Sequence, residues 1–387
     1  MRVTNASTYR NFTTSVNNVH LTLNRSMNKI SSGERYESAA EAPLAYYEGK
    51  RIDTQYQDVL SKKSLLKDVQ NRIYQQEVGV EAIQKSLSLG KDQVLRANSD
   101  TTSLTALDTL KSDLLQKQHE IVDSLNAQYE NFYIYGGNDI SNPPFSLSAD
   151  GTVLTFSHTF PGDSDPTEFE MTLQEDTANP GTYKYTLTSG DQDKLLKAMG
   201  EQGRIDIGYG SIHNKNSLGV RDTLLDTYTG GMNVLTGLTS DAVLAGAGDP
   251  GKDPNGKDVM AYLNDSPLGL LGSAVQSIGK YIEKANGGDV DRSELHDSLE
   301  GLITRMGTTE HRLSSIYADL GNKYNLIDTM EERLTIREDS MKKQYKDKLG
   351  ADPYESIMEM YSNNYAYNAA LQVGSKLMSS SLFDFMG

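Results

Sequence analysis

The sequence predicts a mainly α fold: an elongated antiparallel helical bundle or coiled coil with long terminal helices and a β-rich insertion in the middle of the chain. Three observations carry this reading. Apolar residues recur at every seventh position in two long stretches near opposite ends of the sequence. Between them the pattern breaks into short alternating segments punctuated by Gly, Pro and Asn. Only 37% of the 387 residues are hydrophobic, with no Trp and eight Phe, which is little for a compact enzyme of this length.

The elements follow in order. Residues 1–45 carry a helical stripe of Val16, Leu23 and Ile30, flanked by Val19 and Met27. Residues 46–136 hold the first long seam, Ile52, Val59, Leu66, Ile73, Val80, Leu87 and Val94, which predicts a helix of roughly 45 residues, about 70 Å long. The capping residues "NSDTTS" separate it from a second helical pattern through Leu104, Leu107, Leu110, Leu114, Ile121 and Leu125, folded back beside the first. Residues 137–265 form the insertion. The aromatic "FYIYGGND" ends in a glycine turn, strands are expected from about 145 to 210 in "DGTVLTFSHTF", "EFEMTL" and "TYKYTL", and loops around short elements follow from 211 to 266.

Helical spacing returns in residues 266–350, with "LGLLGSAVQSIGKYIEKA" and then a long helix from near Ser293 whose heptad runs Met306, Leu313, Leu320, Ile327, Leu334 and Met341. Two such seams cannot stay exposed, so they are expected to pack antiparallel as an internal core. In "LGADPYES", Gly350 suits a left-handed helix end, Asp352 a cap and Pro353 a first helical turn. Residues 351–387 then form a last helix with Ile357, Leu371, Met378 and Leu382 on its apolar side. The two terminal stripes have few partners besides each other, and they are read as intermolecular surfaces.

Composition excludes several functions. A net charge of −16, from 37 basic and 53 acidic residues, argues against nucleic acid, since no basic stripe is present to bind phosphates. No Lys or Arg lies between Lys117 and Lys184, which predicts a solvated acidic surface there. Cysteine is absent, so disulfides, thiolate metal sites and thiol nucleophiles are unavailable. The six histidines show no i, i+3 or i, i+4 pair, "DPGKDPNGKD" lacks the Gly and Glu positions of a calcium loop, and "GEQGRIDIGYG" lacks the lysine of a P-loop. No cofactor, metal or catalytic residue is expected. No run of about 18 apolar residues occurs, so no membrane insertion is expected, and the first 20 residues lack the apolar run of a secretory signal.

Certain segments carry a family resemblance. "MRVTN" opens the chain, and "KISSGERYESAAEAPLAYYEGKRI" is similar to the "LSSGKRI…DDP" segment of the flagellin superfamily, with Glu41 and Ala42 where that family commonly has two aspartates. "NAQYENFYIYGGNDISNPPF" resembles the "GxYLFAG…PF" element of its hook-associated protein 3 branch, and "YADLGNKYNLIDTMEERL" and "YNAALQVGSKLMSSSLFDFMG" resemble its C-terminal helices. Residues 1–140 and 265–387 are covered. The resemblance implies a structural, non-enzymatic subunit of the bacterial flagellum, exported without a cleaved signal and self-associating in a ring at the junction of hook and filament. The first hook-associated protein and flagellin would be its neighbours, with an export chaperone as a further partner. It also implies terminal helices that are disordered in the monomer and become ordered in the assembly, with Val16, Leu23, Met27, Ile30, Ile357, Leu371, Met378, Leu382 and Phe383 as contact residues. Two other readings stay open: flagellin itself, the filament subunit, and a secreted coiled-coil adhesin or effector.

Overall fold

The computed structural model describes residues 2–177, 181–206, 224–227, 229–245, 258–288 and 291–386, with side chains throughout except at 2–6, 204, 206, 224, 245 and 377–386. The fold is mainly α with a small antiparallel β region in the middle of the chain. It divides into two compact units, residues 1–65 with 331–387, and residues 66–330.

The first unit begins with α1 (Arg2–Ser32) and takes in residues 43–65 of α2 (Pro43–Ala97). It closes with residues 331–349 of α9 (Ser293–Leu349) and with α10 (Pro353–Met386). The first-seam residues Ile52 and Val59 meet Met341 in a buried cluster edged by Tyr56, Leu334 and Tyr345. Lys348 reaches Glu48 at 2.7 Å, and Glu338 accepts from Lys342 at 2.6 Å and Lys63 at 3.3 Å, holding its carboxyl below the ordinary range. α2 starts earlier than the heptad alone predicts and spans 55 residues, because Pro43 sits in the first turn, where its missing N–H costs nothing.

In the second unit the seam is buried throughout: Leu66, Ile73, Val80, Leu87 and Val94 from α2, and Met306, Leu313, Leu320 and Ile327 from α9. α3 (Leu104–Leu125) is capped by Ser103, whose hydroxyl accepts from Ala106 N–H, and it packs on α8 (Pro267–Asn286), capped by Ser266 in the same way.

The β region starts with a short hairpin, β1 (Gln128–Tyr129) and β2 (Phe132–Tyr133), turned by Glu130 and Asn131 at positive φ. Next comes an antiparallel meander in the order β3 (Phe145–Leu147), β4 (Val153–His158), β5 (Thr167–Glu175), β6 (Tyr183–Ser189). The register pairs Phe145 with Phe156 and Phe156 with Phe169, so their rings pack on one face with Leu154, Met171 and Leu173. Leu173 meets α8 at Gly272.

Residues 192–199, read above within the strand region, form a helix instead. In α4 (Gln192–Met199) the Asp191 carboxylate caps the first turn and Leu195, Ala198 and Met199 are buried at helical spacing, a short 3.6-residue period within otherwise alternating sequence. A two-stranded ladder, β7 (Arg204–Asp206) with β8 (Leu224–Asp226), and three short helices complete the described residues: α5 (Gly231–Thr236), α6 (Ser240–Ala245) and α7 (Val259–Asn264). Most of "GAGDPGKDPNGKD" lies outside them.

Candidate assembly surface

Along α1, Phe12, Val16, Val19, Leu23 and Ile30 fall on one line at helical spacing, and this stripe faces α10. The two helices run antiparallel. Phe12 lies against Gly374, where any Cβ would collide with its ring. The ring of His20 is 5.4 Å from that of Tyr367, Asn363 donates to the Ser26 hydroxyl at 2.6 Å, and Lys29 meets Glu359 at 3.3 Å.

At the foot of the pair, the segments on either side fasten each other. Glu34 bridges Gly350, Arg35 N–H donates to Leu349 carbonyl at 2.6 Å, and Ala351 N–H donates to Gly33 carbonyl at 2.9 Å. Gly33, at φ 69°, makes the left-handed turn that this stitch requires. "SSGER" and "LGADP", far apart in sequence, are thus one structural device. The Tyr345 hydroxyl donates to Glu34 at 2.9 Å, and burial together with that carboxylate pushes the phenol up to about 12.

The sequence-predicted contact residues divide into three groups. Leu23, 8% exposed, is enclosed in the seam with α10, and Val16 is half-buried there. Met27, Ile30, Ile357 and Leu371 are exposed. The side chains of Met378, Leu382 and Phe383 lie outside the described residues.

α10 has a second apolar face. At about 100° per residue, Ser356, Met360, Asn363, Tyr367, Ala370 and Gly374 cluster around one line and form the side toward α1. Tyr354, Met358, Tyr361 and Tyr365 fall on the opposite side at spacings of four, three and four, the rhythm of a coiled-coil seam. Tyr354 is 76% and Tyr365 78% exposed, and Met358 and Tyr361 are exposed as well. The face of α10 opposite α1 is therefore the more apolar of the two, and it is bare. The sequence reading missed this stripe because it followed the aliphatic residues; the signal was present in "YESIMEMYSNNYAYN".

Among the described residues no group of three His, Asp or Glu is placed to hold a metal ion, and no helix is long and apolar enough to cross a membrane. A dent of about 250 Å³ in the first unit is lined by Asp53, Tyr56, Lys342 and Tyr345.

No family model and no curated protein matches the chain. It is similar to a solved protein from Vibrio parahaemolyticus assigned to the flagellar hook-associated proteins, at 12% identity and a TM-score of 0.49, over 80% of this chain and all of that one. It is also similar to FlgL from Bacillus cereus, at 11% identity and a TM-score of 0.39, over 79% of this chain and all of that one. A third similarity, to flagellar hook-associated protein 3 from Legionella pneumophila, has 12% identity and a TM-score of 0.39, and covers 77% of this chain and 98% of that one.

Proposed function

We propose that the chain is a non-enzymatic structural component of the bacterial flagellum, a junction protein of the FlgL type that forms a ring between hook and filament. In this reading the first hook-associated protein lies on one side and flagellin on the other. The chain leaves the cell through the flagellar export apparatus without a cleaved signal, its C-terminal helix held beforehand by a chaperone.

The observation that carries the proposal is the pair α1 and α10. The family motifs sit at both ends of the chain, the structure stitches those ends together, and α10 still offers a full aromatic stripe to something outside the pair. Ordering a residue costs about 1–2 kcal/mol of backbone entropy, so two helices of 31 and 34 residues need more apolar burial than their narrow mutual seam supplies. Neighbouring subunits supply the remainder, and the helices become ordered as they dock. Met27, Ile30, Ile357 and Leu371 contribute to that docking, and so do Met378, Leu382 and Phe383.

Deleting the gene tests the proposal. Loss should release unassembled flagellin into the medium while hooks remain intact, whereas normal filaments would refute it and favour an adhesin. Purified protein separates the junction from the filament: it should add only to hooks that already carry the first hook-associated protein. Long filaments grown from this protein alone would identify flagellin instead.

A further inference from the structure

The dent between α2 and α9 in the first unit is a hollow of about 250 Å³, far above the roughly 10–15 Å³ that a single water needs. Two tyrosines and two charged side chains line it. The rings of Tyr56 and Tyr345 are half-buried and backed by the cluster of Ile52, Val59 and Met341, and the Tyr345 hydroxyl is committed to Glu34. The charges do not balance. Lys342 lies with its nitrogen 5.8 Å from the centre of the Tyr56 ring and is matched by Glu338 at 2.6 Å, which also meets Lys63 at 3.3 Å. Asp53 has no hydrogen-bond or ion-pair partner among the described residues. Its carboxylate is near enough to Tyr345 to help, after burial and Glu34, in holding that phenol protonated. The hollow thus presents an unmatched carboxylate beside two aromatic rings, whose faces attract cations. A planar guanidinium satisfies both, forking onto a carboxylate and stacking on a ring.

We propose that this hollow is a socket for an arginine of a second copy of this chain, whose guanidinium pairs with Asp53 and stacks on Tyr56 and Tyr345. The choice of a second copy rests on the ring-forming reading above. Glu34, which holds Tyr345, also bridges Gly350 at the foot of the α1–α10 pair, so the socket continues the surface assigned to docking. The chain carries a fitting plug as well: Arg10 and Arg25 of α1 are exposed and have no ion-pair partner among the described residues.

Ethylguanidinium chloride, added to the full chain carrying carbon-13 tyrosine, reads the socket without any assembly. The ring signals of Tyr56 and Tyr345, assigned with Tyr56→Phe and Tyr345→Phe, should shift saturably. Ethylurea, the uncharged analogue, should leave them in place, and Asp53→Asn should weaken binding by about tenfold or more. Equal responses to both probes, or none to ethylguanidinium, overturn the socket, and so does undiminished binding by the variant. If Asp53→Asn does not fold, the two probes decide alone. A photo-crosslinking residue at the exposed Gln57 then identifies the occupant in junctions built from mixed isotopically light and heavy copies. A crosslink between copies, to an α1 peptide holding Arg10 or Arg25, is expected. A crosslink to flagellin, to the first hook-associated protein or to nothing overturns the second copy as occupant. Wild-type protein that joins no hooks would sink the ring reading, and the second copy with it, while the ethylguanidinium titration still decides the socket.

Discussion

The α1–α10 seam and the α3–α8 interface are both contacts between two helices of one unit, yet they are built on different scales. α3 and α8 bury Leu107, Leu114, Ile121, Leu125, Leu268, Leu271, Ala274 and Ile278 completely, and serine caps start both helices. The longer pair, α1 and α10, centres on Leu23, with Ser26, Ser356 and Gly374 as its other most enclosed residues. Apolar burial stabilises in proportion to area, so the first interface contributes far more than the second. Small and polar residues in the seam also let the helices separate without exposing a large greasy surface, which fits the proposal that they dock onto neighbouring subunits.

The largest expected effect tests the self-sufficient side. Leu114→Ala should cost about 3–4 kcal/mol, because Leu114 is fully buried beside Gly90 and its truncation leaves a cavity. Urea denaturation followed by circular dichroism should show the second unit unfolding at much lower denaturant, and a small change would mean that the interface is looser than its burial implies.

Asp139 comes next, because the turn that it organises closes the same unit. Burial raises its carboxyl, but hydrogen bonds from Thr159, Ser141 and Asn142 outweigh that and hold it below the ordinary value. Replacement by Ala should remove about 1.5–3 kcal/mol, the range for hydrogen bonds to a charged group. A depressed carboxyl stabilises above the unfolded value of about 3.9 and loses that contribution as pH falls through the lower folded value. The wild type should therefore converge on Asp139→Ala in acid, and a constant gap down to low pH would contradict the assignment.

Leu23→Ala moves to the other side of the comparison. Its cost should stay below about 2 kcal/mol, the low end for a buried leucine, and be confined to the terminal helices. Helical signal and protease resistance at the two ends should fall while the urea transition of residues 66–330 stays in place. Coupled loss of both units would show that the seam is no separate, marginal element.

How far the sequence foretold this contrast depends on the kind of signal. The heptads from Ile52 to Val94 were legible because each repeat is a large aliphatic residue, and all seven are buried. The pairing of β5 with β6 was legible from alternation across a turn. Other features were opaque because they rest on contacts between residues distant in sequence. Nothing local says that Glu34 will bridge Gly350, that the Gln76 amide will hold the carbonyls of Ile134 and Thr229, or that the Tyr135 hydroxyl will return to the Gln76 carbonyl. α4 was missed because eight residues of helix barely complete a period, and the outer stripe of α10 because tyrosine is amphipathic and is easily taken for surface.

The smallest effect on the isolated chain should be the largest on assembly. Tyr354, Tyr361 and Tyr365 face away from α1 and are exposed, so replacing all three with Ser should change the stability of the monomer by only about 0.5 kcal/mol per site. If the stripe meets a neighbouring subunit, those rings become enclosed on docking, and each lost ring withdraws a large amphipathic contact from every subunit contact in the ring. The variant should fold, be secreted and resist urea like the wild type, yet fail to join hooks that carry the first hook-associated protein, with flagellin lost to the medium. The same substitutions at Tyr74 and Tyr324, whose rings pack 6.2 Å apart in the second unit, supply the control, since they remove comparable aromatic surface without touching α10. Normal junctions in the triple variant would mean that the bare face of α10 is solvent surface, and the comparison between a complete interface and an incomplete one would lose its functional meaning.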